Sequence, residues 1–136
     1  VVTIPLLHIA DATAAEIKNK GINRIRLLGT KYTMEEDFYK GRLAENYGLD
    51  LLVPTEKDRN IINQVIYDEL CMGMIREDSR SKFVGIIGDL NNRRAEGIIL
   101  GCTEISLLIK QEDSSLPLFD TTAIHARAAV EFALGG

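Results

Sequence analysis

Apolar residues arrive along this chain in two alternating rhythms. Short runs, Arg24-Ile25-Arg26-Leu27-Leu28-Gly29, Leu49-Asp50-Leu51-Leu52-Val53-Pro54 and Gly97-Ile98-Ile99-Leu100, read as strands of a buried parallel sheet. Between them lie longer segments in which apolar side chains recur every three or four positions, the spacing of one helix face. Met34, Phe38, Tyr39, Leu43 and Tyr47 form one such stripe, stopped by Gly48. Ile61, Ile62, Val65, Ile66 and Leu70 form the next, ending near Gly73. A further helix follows with no strand between, and its pattern turns Phe83, Val84, Ile87 and Leu90 inward and Asp89, Arg93 and Arg94 outward.

The flanks complete the pattern. Asp11 is placed to cap a helix through Lys18, closed by Gly21 after a basic last turn. Past the central strand, Ile105 to Ile109 predict a short helix and Leu116-Pro117-Leu118-Phe119 a short strand. Asp120 or Thr121 then caps a last helix, Ala123 to Leu134. Strands and helices alternating at these lengths imply an α/β fold, a mostly parallel sheet flanked by helices on both faces.

With 136 residues, 46% of them hydrophobic, the chain can build one core and not two. The polar turn Gln111 to Ser115 divides it into a lobe, 1–110, and a closing strand and helix, 111–136. The net charge of −4, with both signs interleaved, offers no basic stripe for nucleic acid and no polybasic patch for a membrane. No apolar run approaches the roughly 20 residues of a membrane span, and the first residues lack a signal-peptide pattern. A cytoplasmic protein is expected. Cys71 and Cys102 are far apart, outside any CxxC, and read as free thiols rather than a zinc site or a disulfide. His8, on an apolar run, and His125, between alanines, read as packing residues with no partner at metal-ligand spacing. Gly85-Ile86-Ile87-Gly88 lies inside a helical pattern, and Gly97 to Gly101 lacks the remaining residues of a nucleotide-binding loop.

The candidate chemistry sits where the central strand ends, at Gly101-Cys102-Thr103-Glu104. Loops at the carboxyl ends of parallel strands form the ligand crevice of such sheets. A cysteine ahead of a helix N-terminus is expected to have a pKa lowered toward thiolate, and Cys102 is expected to alkylate faster than Cys71. The plain reading is a buried, inert thiol. Thr30 and Thr33 follow the first strand in the same way, as hydroxyl donors or helix caps.

Four stretches together, Ile4-Pro5-Leu6-Leu7-His8-Ile9, Leu27 to Met34, Gly101-Cys102-Thr103-Glu104-Ile105 and Leu118-Phe119-Asp120-Thr121, resemble the aspartate/glutamate racemase family. The resemblance implies two similar α/β lobes with the active site between them, a catalytic residue on each, and no cofactor or metal. This chain resembles the second lobe plus the closing strand and helix. The opposite catalytic residue would precede Val1, and the apolar start without Met suggests a fragment.

Inverting an amino-acid α-carbon needs an acid/base group on each face, so the resemblance makes Cys102 one of two. Thr30, Thr33 and Thr103 would bind the substrate carboxylate, where charge develops. Glu104 would orient the substrate ammonium or the thiol, or serve only the helix dipole. Where aspartate-type relatives place a lysine before x-Gly, this chain has Cys71-Met72-Gly73, read as a packed helix-end thiol. The closing helix, apolar at Ile124, Ala128, Val130 and Leu134, predicts docking on the domain's own sheet or exchange into a homodimer. Two other readings stay open: a noncatalytic binder of small carboxylates or of a partner, and a thiol redox protein using Cys71 and Cys102.

Overall fold

The structure, a computed structural model, describes residues 6–35, 41, 43–45, 47–102 and 104–135. Its order is α1 (Leu6–Asn19), β1 (Arg24–Leu28), α2 (Lys31–Glu35), helical residues at 41, 43–45 and 47, β2 (Asp50–Leu52), α3 (Glu56–Asp68) and a 3-10 turn (Leu70–Met72). Then come α4 (Glu77–Asn92), β3 (Gly97–Leu100), α5 (Ile105–Leu108), a second 3-10 turn (Gln111–Asp113), β4 (Leu118–Asp120) and α6 (Thr121–Gly135). The strands form one parallel sheet in the order β2-β1-β3-β4. The fold is α/β with helices on both faces.

Alternation along the strands explains the two covers, since successive side chains of a strand point to opposite faces. Ile25, Leu27, Ile99 and Phe119 pack with Ala14 and Ile17 of α1, with Leu43, and with Ile124 of α6. Leu28, Ile98 and Leu100 pack on the other face against Ile62 and Ile66 of α3, Phe83 and Ile87 of α4, and Ile105 and Leu108 of α5. Arg26 shares the strand and is only 3% exposed. Its guanidinium is accommodated by the carbonyls of Ile25, Asp50 and Arg93, so no buried donor is orphaned.

Several boundaries differ from the sequence reading. α1 begins at Leu6, because the apolar run Leu6 to Ile9 is itself helical; Asp11 lies inside the helix and accepts the Tyr47 hydroxyl at 2.8 Å. Val84 is 39% exposed rather than inward: Phe83, Ile87 and Leu90, joined by Ile86, already fill the inner stripe of α4. Phe38 and Tyr39 lie outside the described residues. Gly21 and Gly48 follow their helical residues, whereas α3 ends earlier than expected, at Asp68, and Gly73 closes the 3-10 turn after it; each glycine has a positive φ that a side chain would strain.

β4 starts at Leu118, two residues late. Asp120 caps α6, its carboxylate accepting the N–H groups of Thr122 and Ala123, while Thr121 turns inward and donates to the Leu100 carbonyl at 2.9 Å. α6 lies along α1 of its own domain, with Ile124 buried and Arg127 paired to Glu16. No described helix is long and apolar enough to cross a membrane.

Candidate functional site

After β1 the chain moves outward to β2, then returns past β1 to β3, so β1 and β3 flank the point where the strand order reverses. Open parallel sheets present their ligand crevice outside the carboxyl ends at that point. Here those ends are Gly29-Thr30 and Gly101-Cys102, tied by the Gly101 N–H donating to the Leu28 carbonyl at 2.7 Å. Both glycines are forced by crowding. A Cβ on Gly29 would stand 3.1 Å from the Thr33 methyl, and one on Gly101 would stand 3.3 Å from the same methyl and 3.2 Å from the Leu28 carbonyl oxygen. Thr33 therefore seats on both strand ends at once.

Thr30 holds it there. The two hydroxyls are 3.0 Å apart, and the Thr30 oxygen also accepts the Thr33 N–H at 3.2 Å, while Asn63 of α3 accepts the Lys31 N–H at 2.7 Å. Asn63 had no distinguishing signal in the sequence, being one polar position on an amphipathic helix. The predicted pair Thr30 and Thr33 thus meets, and both hydroxyls are half-buried.

Cys102 and Glu104 form the second pair. The half-buried thiol donates to the Glu104 carboxylate, Sγ to Oε2 2.9 Å. Burial, then that hydrogen bond, push the thiol from its ordinary 9.0 up to about 11, against a smaller downward pull from the Glu104 backbone. The expectation of a thiolate-leaning Cys102 is therefore overturned. α5 is only four residues long, and the sulfur's hydrogen-bond partner is a carboxylate. Cys71 is exposed, on the 3-10 turn that packs against α5. Thr103 lies outside the described residues. His125 is half-buried on α6, away from both pairs in the chain's order of elements.

Chemically the arrangement offers a protonated thiol aimed at a carboxylate, beside a floor of two glycines and two threonine hydroxyls. Arg59 at the rim is already engaged, by Glu35 at 3.3 Å and the Pro54 carbonyl at 2.7 Å. A groove of about 320 Å³ lies next to the site, between α5 and β4, and does not include Cys102.

The chain resembles known proteins in ways that bear on this site. The Asp/Glu/Hydantoin racemase family pattern matches residues 1–129. A solved Yersinia pestis protein, assigned as a candidate Asp/Glu racemase, is 54% identical, with a TM-score of 0.90 over 94% of this chain and 56% of its own. An aspartate racemase homologue from Pyrococcus horikoshii OT3 is 40% identical, with a TM-score of 0.84 over 92% of this chain and 54% of its own. The aspartate racemase of Picrophilus torridus, 23% identical with a TM-score of 0.66, shares the fold over 89% of this chain and 52% of its own. The chain spans about half the length of these solved relatives.

Proposed function

Because the chain belongs to the Asp/Glu/Hydantoin racemase family, we propose that it is the half of an amino-acid racemase that carries one of two opposed proton-handling groups. Cys102 is that group, aspartate or glutamate the substrate, and the opposite group comes from a segment or chain outside these residues. No cofactor is called for. The observation that carries the reading is the Cys102–Glu104 hydrogen bond at the carboxyl end of β3.

A thiol held at about 11 starts as an acid. The opposite base takes the α-proton, and the Cys102 S–H bond breaks to deliver its proton to the carbanion's other face. Sulfur is left as thiolate, and a carboxylate beside it would oppose that charge. The substrate ammonium resolves the conflict: seated on Glu104, it neutralises the carboxylate and takes over the contact the thiol had held. Binding thus lowers the thiol's pKa toward the working range. The substrate carboxylate meets the hydroxyls of Thr30 and Thr33 and the motif residue Thr103, where donors stabilise the charge of the carbanion.

The noncatalytic reading draws on the same thiol, since at pH 8 only about one part in a thousand would be ionised. Two measurements separate them. Aspartate or glutamate should lower the Cys102 pKa, read from the carbon-13 shift of its labelled Cβ, whereas succinate, which has no ammonium, should not. Conversion of one enantiomer of aspartate or glutamate into the other, in the protein that also carries the opposite group, should disappear in Cys102→Ser. Inversion that survives the substitution, or a thiol indifferent to both amino acids, would overturn the reading.

A further inference from the structure

α5 is a single turn, and its own backbone satisfies little of it. The Ile105 carbonyl takes the Ile109 N–H at 2.9 Å, while the later carbonyls of so short a helix must find donors outside it. Two cations supply them. Lys110 donates to the Ser106 carbonyl at 2.6 Å, and Arg80, reaching across from the first turn of α4, donates through Nε to the Leu108 carbonyl at 2.9 Å. Glu77 holds the rest of the Arg80 guanidinium at 2.7 Å, and the neighbouring Ser79, 1% exposed, donates to Glu69 just past α3. The start of α4 is thereby pinned to the end of α3 on one side and to the end of α5 on the other. Lys110 follows α5 directly and moves with it. Arg80 comes from another element and fixes where α5 ends. Ile105 and Leu108 also seat α5 on the core, but apolar contact has no direction, whereas a hydrogen bond does.

The other end of the same turn carries the candidate chemistry. The Cys102 carbonyl accepts the Ile105 N–H at 3.2 Å and the Glu104 carbonyl accepts the Leu107 N–H at 3.1 Å. Glu104 stands at the N-cap yet makes no cap bond with its side chain; its carboxylate goes to the thiol. The strand before them is fixed by the bond from Gly101 to Leu28. A helix of four residues is about 6 Å long, so a displacement at Leu108 is passed on to this pair rather than absorbed.

We propose that Arg80 is a positioning residue of the site: by holding the Leu108 carbonyl it sets the angle of α5 against the end of β3, and with it the contact between Cys102 and Glu104. Its hydrogen bonds go to Leu108 and Glu77, so it acts on the pair through α5. Under the function proposed above, Arg80 thereby tunes the acidity of the proton donor, and only this consequence rests on that reading.

The pH profile of Cys102 labelling by iodoacetamide tests this in Arg80→Gln, with Arg80→Lys and Glu77→Gln beside it. The sign of the change is decisive. Removing a cation that acted through its field would leave the thiolate less stabilised and move the inflection up. Letting α5 drift weakens the bond to Glu104 and loosens the burial, and both move it down. A fall of about half a unit or more is expected in Arg80→Gln. Recovery is expected in Arg80→Lys, which can still donate to Leu108, and no shift in Glu77→Gln, which removes only the second partner of Arg80. An unmoved or raised inflection in Arg80→Gln, or the same fall in Arg80→Lys or Glu77→Gln, would overturn the proposal. Should Arg80→Gln fail to fold, the reverse direction decides, because coupling between two sites is reciprocal. Solvent exchange of the Arg80 Nε–H, followed by nitrogen-15 NMR, should quicken severalfold in Glu104→Ala, and unchanged exchange would overturn the proposal. Neither measurement needs a substrate, so both decide the coupling whether or not Cys102 moves a proton.

Discussion

Replacing Glu104 by Gln should make Cys102 more reactive, against the usual expectation that removing a site residue quiets a site. The carboxylate raises the thiol's pKa twice over, by accepting its hydrogen at 2.9 Å and by repelling the thiolate, whereas burial acts independently of it. Together they move the thiol from 9.0 to about 11. Burial is the larger cause of that rise and survives the substitution, so Glu104→Gln relieves only part of it and raises the thiolate fraction near pH 8 by about tenfold at most. Intrinsic nucleophilicity falls as pKa falls, by about threefold per unit, so the net gain in alkylation is about threefold at most.

Iodoacetamide labelling between pH 7 and 11, read peptide by peptide in a mass spectrometer, measures this with exposed Cys71 as an internal reference. The wild-type profile of Cys102 should inflect well above 9 and shift down in Glu104→Gln, while Cys71 labels faster than Cys102 in the wild type. An inflection at or below 9 in the wild type, or one that Glu104→Gln leaves in place, would refute the reasoning.

The same thiol links stability to pH. Its folded pKa is raised above the unfolded value, so its contribution is complete below pH 9.0 and is lost as pH climbs toward about 11. Two units correspond to about 2.7 kcal/mol, and partial solvent exposure reduces this to roughly 1–1.5 kcal/mol. Urea midpoints should fall more steeply over that window in the wild type than in Cys102→Ser; parallel curves would refute the linkage. Gly101→Ala should destabilise by about 1–3 kcal/mol, as overpacking does, because the new methyl meets Leu27, the Leu28 carbonyl and Thr33 within 3.1 to 3.3 Å. A change below half a kcal/mol in the denaturation midpoint would mean the strand ends yield. Ile124→Ala should lose about 2–5 kcal/mol, the range for a buried large-to-small change, since Ile124 is 2% exposed in the core beneath α6. A near-neutral result would place the closing helix elsewhere.

What could be read from the sequence was whatever repetition or punctuation encodes. Ile98, Ile99 and Leu100 form a continuous apolar run, which marks a strand buried on both faces, and Gly48 follows the last apolar turn of its helix. Gly101, Cys102 and Glu104 and the pair Thr30 and Thr33 follow strand ends for the same reason. The errors came where neighbours in space decide. Asp11 looks like a cap, but α1 already begins at Leu6 and the Asp11 carboxylate serves the Tyr47 hydroxyl instead. Val84 fits the stripe of α4 as well as Ile86 does, and only the packing of α3 and the sheet selects between them. The direction of the Cys102 shift depended first on how far the thiol is buried and then on where the Glu104 side chain turns, neither of which spacing along the chain specifies.

Thr33 resting on two glycines has a mechanical meaning. With its methyl 3.1 Å from where a Gly29 side chain would begin and 3.3 Å from the Gly101 position, the ends of β1 and β3 are in contact, clamped further by the bond from Gly101 to Leu28. Close-packed contacts of this kind transmit strain rather than absorb it. The two strand ends thus form one tightly packed floor. Under the proposed function, the motion that admits a substrate and releases a product would fall to the body that supplies the opposite proton-handling group rather than to a separation of these two strand ends.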